Sequence, residues 1–300
     1  MAACDLCPRR CGVNRMQGEA GFCKTAYEVM LAHIGLHFGE EPPISGSRGS
    51  GTIFFASCNL RCVYCQNYQI SQCFDDISIG LASSEELAER MLALQERGAH
   101  NVNWVSPTHV VAQVAEALCL ARERGLTIPV VYNTNGYDAL DVLQALDGLI
   151  DIYLPDIKYS DNAMAKRYSG AGDYVEVNRC AIGEMYRQVG TLKLDRRGIA
   201  RQGVLVRHLV LPEDRAGSCE SLDFLASIST DIAVSIMAQY APHYKACDLS
   251  PLNRGITAEE YERVVAHALA LGLENSFIQQ LDSKDDLIPD FRKKRPFAGS

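Results

Sequence analysis

No apolar run in this chain approaches the ~20 residues needed to cross a bilayer, so no membrane-spanning helix is expected. The opening Met1-Ala2-Ala3-Cys4-Asp5-Leu6-Cys7-Pro8-Arg9-Arg10 has no apolar core of the secretory type, so no export signal is expected there. Positive charge is also lacking: the formal net charge is −8, which argues against a generic nucleic-acid binder. The one basic run, Arg292-Lys293-Lys294-Arg295, reads as a solvated end. No internal repeat stands out. Without an export signal, the 12 cysteines point to a reducing, cytoplasmic setting, where clustered cysteines read as metal ligands more often than as disulfides. With 47% hydrophobic and 22% charged residues over 300 positions, the chain can build one large α/β domain plus an appendage.

The cysteines fall in two groups and a scatter. Cys58-x3-Cys62-x2-Cys65 follows a short β-like run, Thr52–Ala56, and Tyr64 stands immediately before the third thiol. Three thiolates can hold three irons of a [4Fe-4S] cube and leave the fourth open to a small ligand. A zinc knuckle would usually need a fourth ligand, and buried free thiols are the other bland reading. The second group, Cys4-x2-Cys7-x3-Cys11-x11-Cys23, is a complete tetrathiolate set on a short Gly-rich segment. Its spacing does not separate zinc from a second [4Fe-4S] cluster. Either metal would staple a segment too small to fold alone. Cys73, Cys119, Cys180, Cys219 and Cys247 read as packing residues.

Residues 1–50 show no strong periodicity and are expected to be an irregular, metal-stapled segment. His33 and His37 there are read as structural residues able to share a helical face. From residue 52, β-like runs alternate with helical patterns. Strands are expected at 52–57, 101–105, 129–133, 150–157, 204–211 and 232–237, and helices at 84–97, 109–124, 138–147, 218–229 and 257–271. Ser83-x-x-Glu86 and Thr257-x-x-Glu260 are capping boxes. Residues 160–190 look helical in two pieces broken near Gly170–Gly172, and Asp195-Arg196-Arg197-Gly198 reads as a hairpin. Six βα units predict a parallel sheet, an α/β fold over 51–282, with 283–300 as a tail.

In parallel βα folds, functional residues gather at the carboxyl ends of strands. The Cys58 group lies at the end of the first. The second ends in Ser106-Pro107-Thr108-His109, where Thr108 can equally be an N-cap and His109 is open between ligand, cap neighbour and surface residue. The third ends in Asn133-Thr134-Asn135-Gly136, a turn signal by itself. The fourth ends in Asp156-Ile157-Lys158, two opposite charges costly to bury unpaired. On the fifth, alternation puts Arg207 and His208 on opposite faces, and His208 is the residue expected to face inward. Gln239, Tyr240, His243 and Tyr244 are candidate substrate contacts.

The Cys58 signature resembles that of the radical S-adenosylmethionine (radical SAM) superfamily. Together with Glu40–Gly46, Gly49–Phe55, Leu154–Lys158 and Val206–Pro212, it is similar to the family related to pyruvate formate-lyase activating enzyme. The resemblance implies an open, partial (β/α)6 TIM-like barrel. It also implies a [4Fe-4S] cluster on Cys58, Cys62 and Cys65 whose open iron chelates SAM. Reductive cleavage then yields a 5'-deoxyadenosyl radical that abstracts hydrogen from a protein or peptide substrate, or alternatively from a metabolite. The resemblance places Tyr64 near the adenine, Ser106 or Thr108 where a Gly-Gly-Glu-like segment would bind the SAM amino group, and Asn133 or Asn135 near the ribose and methionyl part. It gives Lys158 the SAM carboxylate, with Asp156 orienting a neighbour or substrate at the same mouth, a structural salt bridge between the two being the alternative. His208 joins these candidate cofactor contacts only as the inward residue that alternation suggests. A flavodoxin- or ferredoxin-like one-electron reductant is the implied partner. A non-catalytic iron-sulfur module is the remaining reading.

Overall fold

The computed structural model describes residues 2–74, 76–281, 289–293 and 295–297. The expected α/β class holds. One sheet runs in the order β10-β9-β8-β6-β5-β4-β2-β1-β3, with β7 attached to β8. The strands are β1 (Val29–His37), β2 (Ser50–Phe55), β3 (Gly80–Ala82), β4 (Val102–Val105), β5 (Val130–Thr134), β6 (Ile152–Pro155), β7 (Lys193–Leu194), β8 (Ala200–Leu209), β9 (Ala233–Met237) and β10 (Ser276–Ile278). From β2 to β10 the path is parallel, while β1 joins β2 and β3 antiparallel. Among the described residues, no helix is long and apolar enough to cross a membrane.

The helices form for the reasons the sequence suggested. In Ser84–Glu96 the capping box is made in both directions, and Leu87, Met91 and Leu94 are buried. Ala258–Ala270 is opened the same way by Thr257 and Glu260. Residues 160–190 divide into Asn162–Ser169 and Tyr174–Val189, with Gly170 left-handed at the break. Every residue of β2 and of β5 is buried, as strands covered on both faces require. On the helix-covered face Tyr132 meets Trp104 and Tyr153 edge-on. On the other face Ile44, Val131, Ile152, Leu154, Leu205 and Ala233 form a second apolar cluster. Beyond it, towards the carboxyl ends, this face becomes polar with Asn133, Asp156, Arg207 and Ser235.

The structure departs from expectation in the N-terminal segment. Residues 29–37 are a nine-residue strand, and β1 continues the main sheet rather than remaining irregular. His33 and His37 therefore share a strand face, not a helical one, and both rings lie against Phe54 and Phe297. β10 was not expected, because three residues carry no readable period. Of the tail expected from 283, residues 283–288, 294 and 298–300 lie outside the described residues.

Gly203 makes the junction of β6 with β8 possible. Its φ is +120°, and a Cβ there would lie 2.3 Å from the Thr191 carbonyl oxygen and 2.5 Å from Leu192 Cα. Gly203→Ala should therefore lower the unfolding free energy by about 1–3 kcal/mol, read as an earlier urea midpoint. An unchanged midpoint would mean that the hairpin before β8 yields without cost.

Candidate active site

The loop leaving β2 turns at Ser57, whose φ of 74° swings the chain away from the strand direction. It delivers Cys58, Cys62 and Cys65 to the wall of one cavity of about 530 Å³ at the carboxyl ends of the parallel strands. Each sulfur has a polar neighbour. Leu60 N at 3.4 Å and Asn135 Nδ2 at 3.2 Å donate to Cys58 Sγ. Ser169 Oγ donates to Cys62 Sγ at 3.0 Å, and Ser71 Oγ lies 3.3 Å from Cys65 Sγ. The Cys62 contact ends a longer chain. Tyr64 and Tyr159 share a hydroxyl hydrogen bond of 2.6 Å, and Tyr159 reaches Ser169 Oγ at 2.7 Å. Chains of this kind polarise one another.

Burial pushes the Cys58 thiol up to about 11 and Cys65 to about 12, and raises Cys62 as well. As bare thiolates they would be costly in this setting; a bound cation removes that cost, and the aimed N–H and O–H donors then suit metal-bound sulfur. Among the described residues no three His, Cys, Asp or Glu side chains gather as they would around one metal ion. Three thiols on the wall of one cavity, each with a polar neighbour, are a donor set that suits three separate corners of a cubane.

The polar wall opposite is built from paired charges. Lys158 Nζ lies 2.6 Å from Asp156 Oδ2, and both residues line the cavity. Burial opposes the ammonium, but the Asp156 carboxylate outweighs it and holds Lys158 above its ordinary value. Tyr174 OH donates to Asn135 O at 2.8 Å and accepts from Lys158 N at 3.2 Å, tying the ends of β5 and β6 together. Arg207 is bound by both Glu40 and Glu41, and reaches Asn133 Oδ1 at 3.4 Å. Despite burial, Arg207 keeps the Glu41 carboxyl below its usual range.

Of the residues singled out from sequence, Tyr64, Ser106, Asn133, Asn135, Asp156 and Lys158 line this cavity with the three cysteines. Gln239, Tyr240 and His243 join them, whereas Tyr244 stacks on Tyr68 with ring centroids 5.1 Å apart. Two expectations need correction. Thr108 is buried away from the cavity, where its hydroxyl donates to Asp138 Oδ1 at 2.7 Å as one of three hydroxyls serving that carboxylate. His208 faces the helices: Nδ1–H donates to Ile157 O and Nε2 accepts from Ser218 Oγ, both at 2.8 Å. Its neighbour Arg207 takes the inward position, because Glu40 and Glu41 are there to pair it. His109 is buried too, against Ala56 O, and burial lowers it to about 4, so it stays neutral. Glu40, Glu41 and Ser169 were not anticipated as parts of the site. The adjacent carboxylates before Pro42-Pro43 were a visible signal; Ser169 gave none.

Cys4, Cys7, Cys11 and Cys23 line a separate, small pocket. Three of them are buried and Cys11 is exposed. Burial pushes the Cys7 thiol up to about 12.

Residues 52–189 match the family model described as the radical SAM superfamily. The chain is also 31% identical over 277 residues to the uncharacterized protein MJ0674 of Methanocaldococcus jannaschii, covering 90% of this chain and 75% of that protein. The chain belongs to the radical SAM superfamily. A second relative, the uncharacterized protein MJ0808 of the same organism, is 27% identical over 52% of this chain and 49% of its own length. Two solved structures share the fold. HydG, a maturase of the [FeFe]-hydrogenase, gives a TM-score of 0.51 at 12% identity, over 79% of this chain and 53% of its own. Methylornithine synthase gives 0.52 at 16%, over 76% and 63%.

Membership of the radical SAM superfamily implies a [4Fe-4S] cluster and SAM as its co-substrate. Hydrogen bonds to cluster sulfurs raise reduction potentials. Ser169→Ala should thus lower the midpoint potential of a cluster held by Cys62, and Tyr159→Phe should lower it less. Redox titration followed by electron paramagnetic resonance (EPR) reads both. Equal potentials in all three proteins would leave the Tyr64–Tyr159–Ser169 chain a packing feature.

Proposed function

We propose that this protein cleaves SAM reductively at a cluster held by Cys58, Cys62 and Cys65, and abstracts hydrogen from a protein or peptide substrate in the manner of an activating or modifying enzyme. The observation that carries the reading is that one loop delivers all three thiols to the cavity that Asn133, Asn135, Asp156 and Lys158 also line. When bound there, the cluster supplies one electron to the sulfonium of SAM, giving methionine and a 5'-deoxyadenosyl radical. A flavodoxin- or ferredoxin-like carrier is the matching source of that electron.

The chain's own residues do the rest. Asn135 braces Cys58, its amide nitrogen also holding Asn59 Oδ1 at 2.8 Å. Lys158, kept charged by Asp156, offers an ammonium for the SAM carboxylate. Tyr64 and Tyr240, with ring centroids 6.0 Å apart, give the adenine an aromatic wall that excludes water. A macromolecular substrate is favoured by the way the sheet ends. β10 is the last strand of the path, and Phe277, Ile278 and Gln279 on it and after it line the cavity. An extended chain entering beside that edge would pass Gln239 and His243.

Anaerobically reconstituted protein with dithionite and SAM should release 5'-deoxyadenosine, and Cys62→Ala should not. Turnover in the variant at the parent rate would sink the assignment. Lys158→Ala should weaken SAM binding by about 1–3 kcal/mol, the scale of a charged hydrogen bond, with iron content unchanged. Wild-type affinity in the loaded variant would leave Lys158 only its ion pair.

Substrate class is decided separately. Fractions of the native cell extract, separated by size, are added to reduced enzyme and SAM. Stimulated 5'-deoxyadenosine release should follow the material above peptide size, and a glycyl-type EPR doublet there would mark an activase. Stimulation by the small-molecule fraction alone would replace the protein substrate with a metabolite.

A further inference from the structure

The four N-terminal cysteines share their pocket with three guanidinium groups, and of these Arg10 alone has a counter-charge, Asp141 at 3.3 Å. Arg15 is only 2% exposed. Its Nη1 donates to His109 O at 2.6 Å and its Nη2 to Cys23 Sγ at 3.1 Å, while Nε has no partner. Arg9 donates from Nε to Asn59 O at 2.9 Å and from Nη1 to Gly170 O at 2.7 Å, and its Nη2 is buried without a partner. Among the described residues no carboxylate forms an ion pair with either arginine. Arginine does not escape this by losing a proton, and for the buried Arg15 an unpaired cation is strongly destabilising, while Arg9 is half-buried. No three of these thiols gather as they would around a single metal ion, but a [4Fe-4S]2+ core on four thiolates carries two negative charges, which the two guanidinium groups balance. Two of the sulfurs already receive N–H donors: Arg15 Nη2 on Cys23, and Phe22 N on Cys11 at 3.4 Å. Gly21 packs so closely that a Cβ there would lie 2.8 Å from Cys11 Sγ.

This pocket is tied to the loop that carries the active-site cysteines. Ser57 Oγ donates to Cys23 O, Arg9 Nε to Asn59 O, and Arg61 Nη2 to Phe22 O. The Phe22 ring packs against both guanidinium groups, 4.0 Å from Arg9 and 4.9 Å from Arg61. Ser57, Asn59 and Arg61 flank Cys58 on both sides. A fold staple needs no such placement; a device that shapes the Cys58 loop does.

We propose that Cys4, Cys7, Cys11 and Cys23 form a closed thiolate metal site, charge-balanced by Arg9 and Arg15, whose occupation sets the conformation of the Cys58 loop. The metal-site half stands alone. The coupling half rests on the reading of Cys58, Cys62 and Cys65 as cluster ligands.

The test uses full-length protein prepared anaerobically, with zinc and iron counted per chain and the reduced Cys58 cluster followed by EPR with and without SAM. Wild type and Cys62→Ala should both hold the N-terminal metal. Cys11→Ala, at the exposed thiol, should lose it, read as about four irons for a cubane. It should also alter the EPR signal and its response to SAM. Arg15→Gln leaves all ligands in place and should lose the metal to a chelator about 10- to 100-fold more readily, with Arg15→Lys restoring retention. Unchanged metal content in Cys11→Ala, or wild-type retention in Arg15→Gln, overturns the site. Metal loss with an unaltered EPR signal and SAM response overturns the coupling. Wild type that holds the N-terminal metal but does not cleave SAM is a failure of the proposed function, not of the site.

Discussion

A parallel sheet covered on both faces has few places for a charge. Its strand amides are spent on neighbouring strands, and its side chains must be apolar wherever helices or the opposite wall cover them. Polar groups are therefore confined to the carboxyl ends, where the loops begin. In this protein the change occurs within single strands. Val131 belongs to an apolar cluster, and Asn133, two residues on, lines the cavity. Leu205 belongs to the same cluster, and Arg207 likewise lines the cavity. Everything else about the site follows from that boundary: where the thiols arrive, which charges need partners, and why those partners are brought from far along the chain.

The partners come from the segment that sequence alone left shapeless. Glu40 and Glu41 lie after β1 and before the short helix that contributes Ile44, so one stretch both plugs the apolar end of the inner face and neutralises Arg207 above it. Without the two carboxylates, Arg207 would be a buried cation facing Asn133 alone, and breaking such a pairing is strongly destabilising. The segment that follows β1 is thus a working part of the site as well as a link into the sheet.

How far the sequence could be read follows the range of the physics involved. Helix starts were legible because Ser83 with Glu86, and Thr257 with Glu260, act within one turn. The six expected parallel strands were legible because their apolar runs are bounded by turn residues. The Cys58 loop was legible because its three thiols stand at a short local spacing, and the fold brings all three to one cavity wall. What failed depended on long-range pairing. Alternation correctly separated Arg207 from His208 but could not say which faced inward; that choice is made by Glu40 and Glu41, more than 160 positions away. Thr108 looked like a strand-end ligand, yet Asp138 claims its hydroxyl. β1 was missed because its glycine and histidines dilute the apolar pattern, and its partner, not its composition, makes it a strand.

The same distinction separates the thiol groups. Each active-site sulfur draws on a different element: Cys58 on Asn135 after β5, Cys62 on Ser169 at the end of a helix, Cys65 on Ser71 just beyond its own loop. A cluster bound there would feel the relative placement of three parts of the barrel, so its electronic state would report on the barrel's geometry. The N-terminal thiols instead draw on their own short segment, through Arg15 and Phe22. Their link to the barrel runs through backbone carbonyls on both sides, Cys23 O accepting from Ser57 and Asn59 O from Arg9, not through shared ligands. Such contacts transmit position without exchanging charge, which suits the proposed role of the N-terminal thiols in shaping the Cys58 loop.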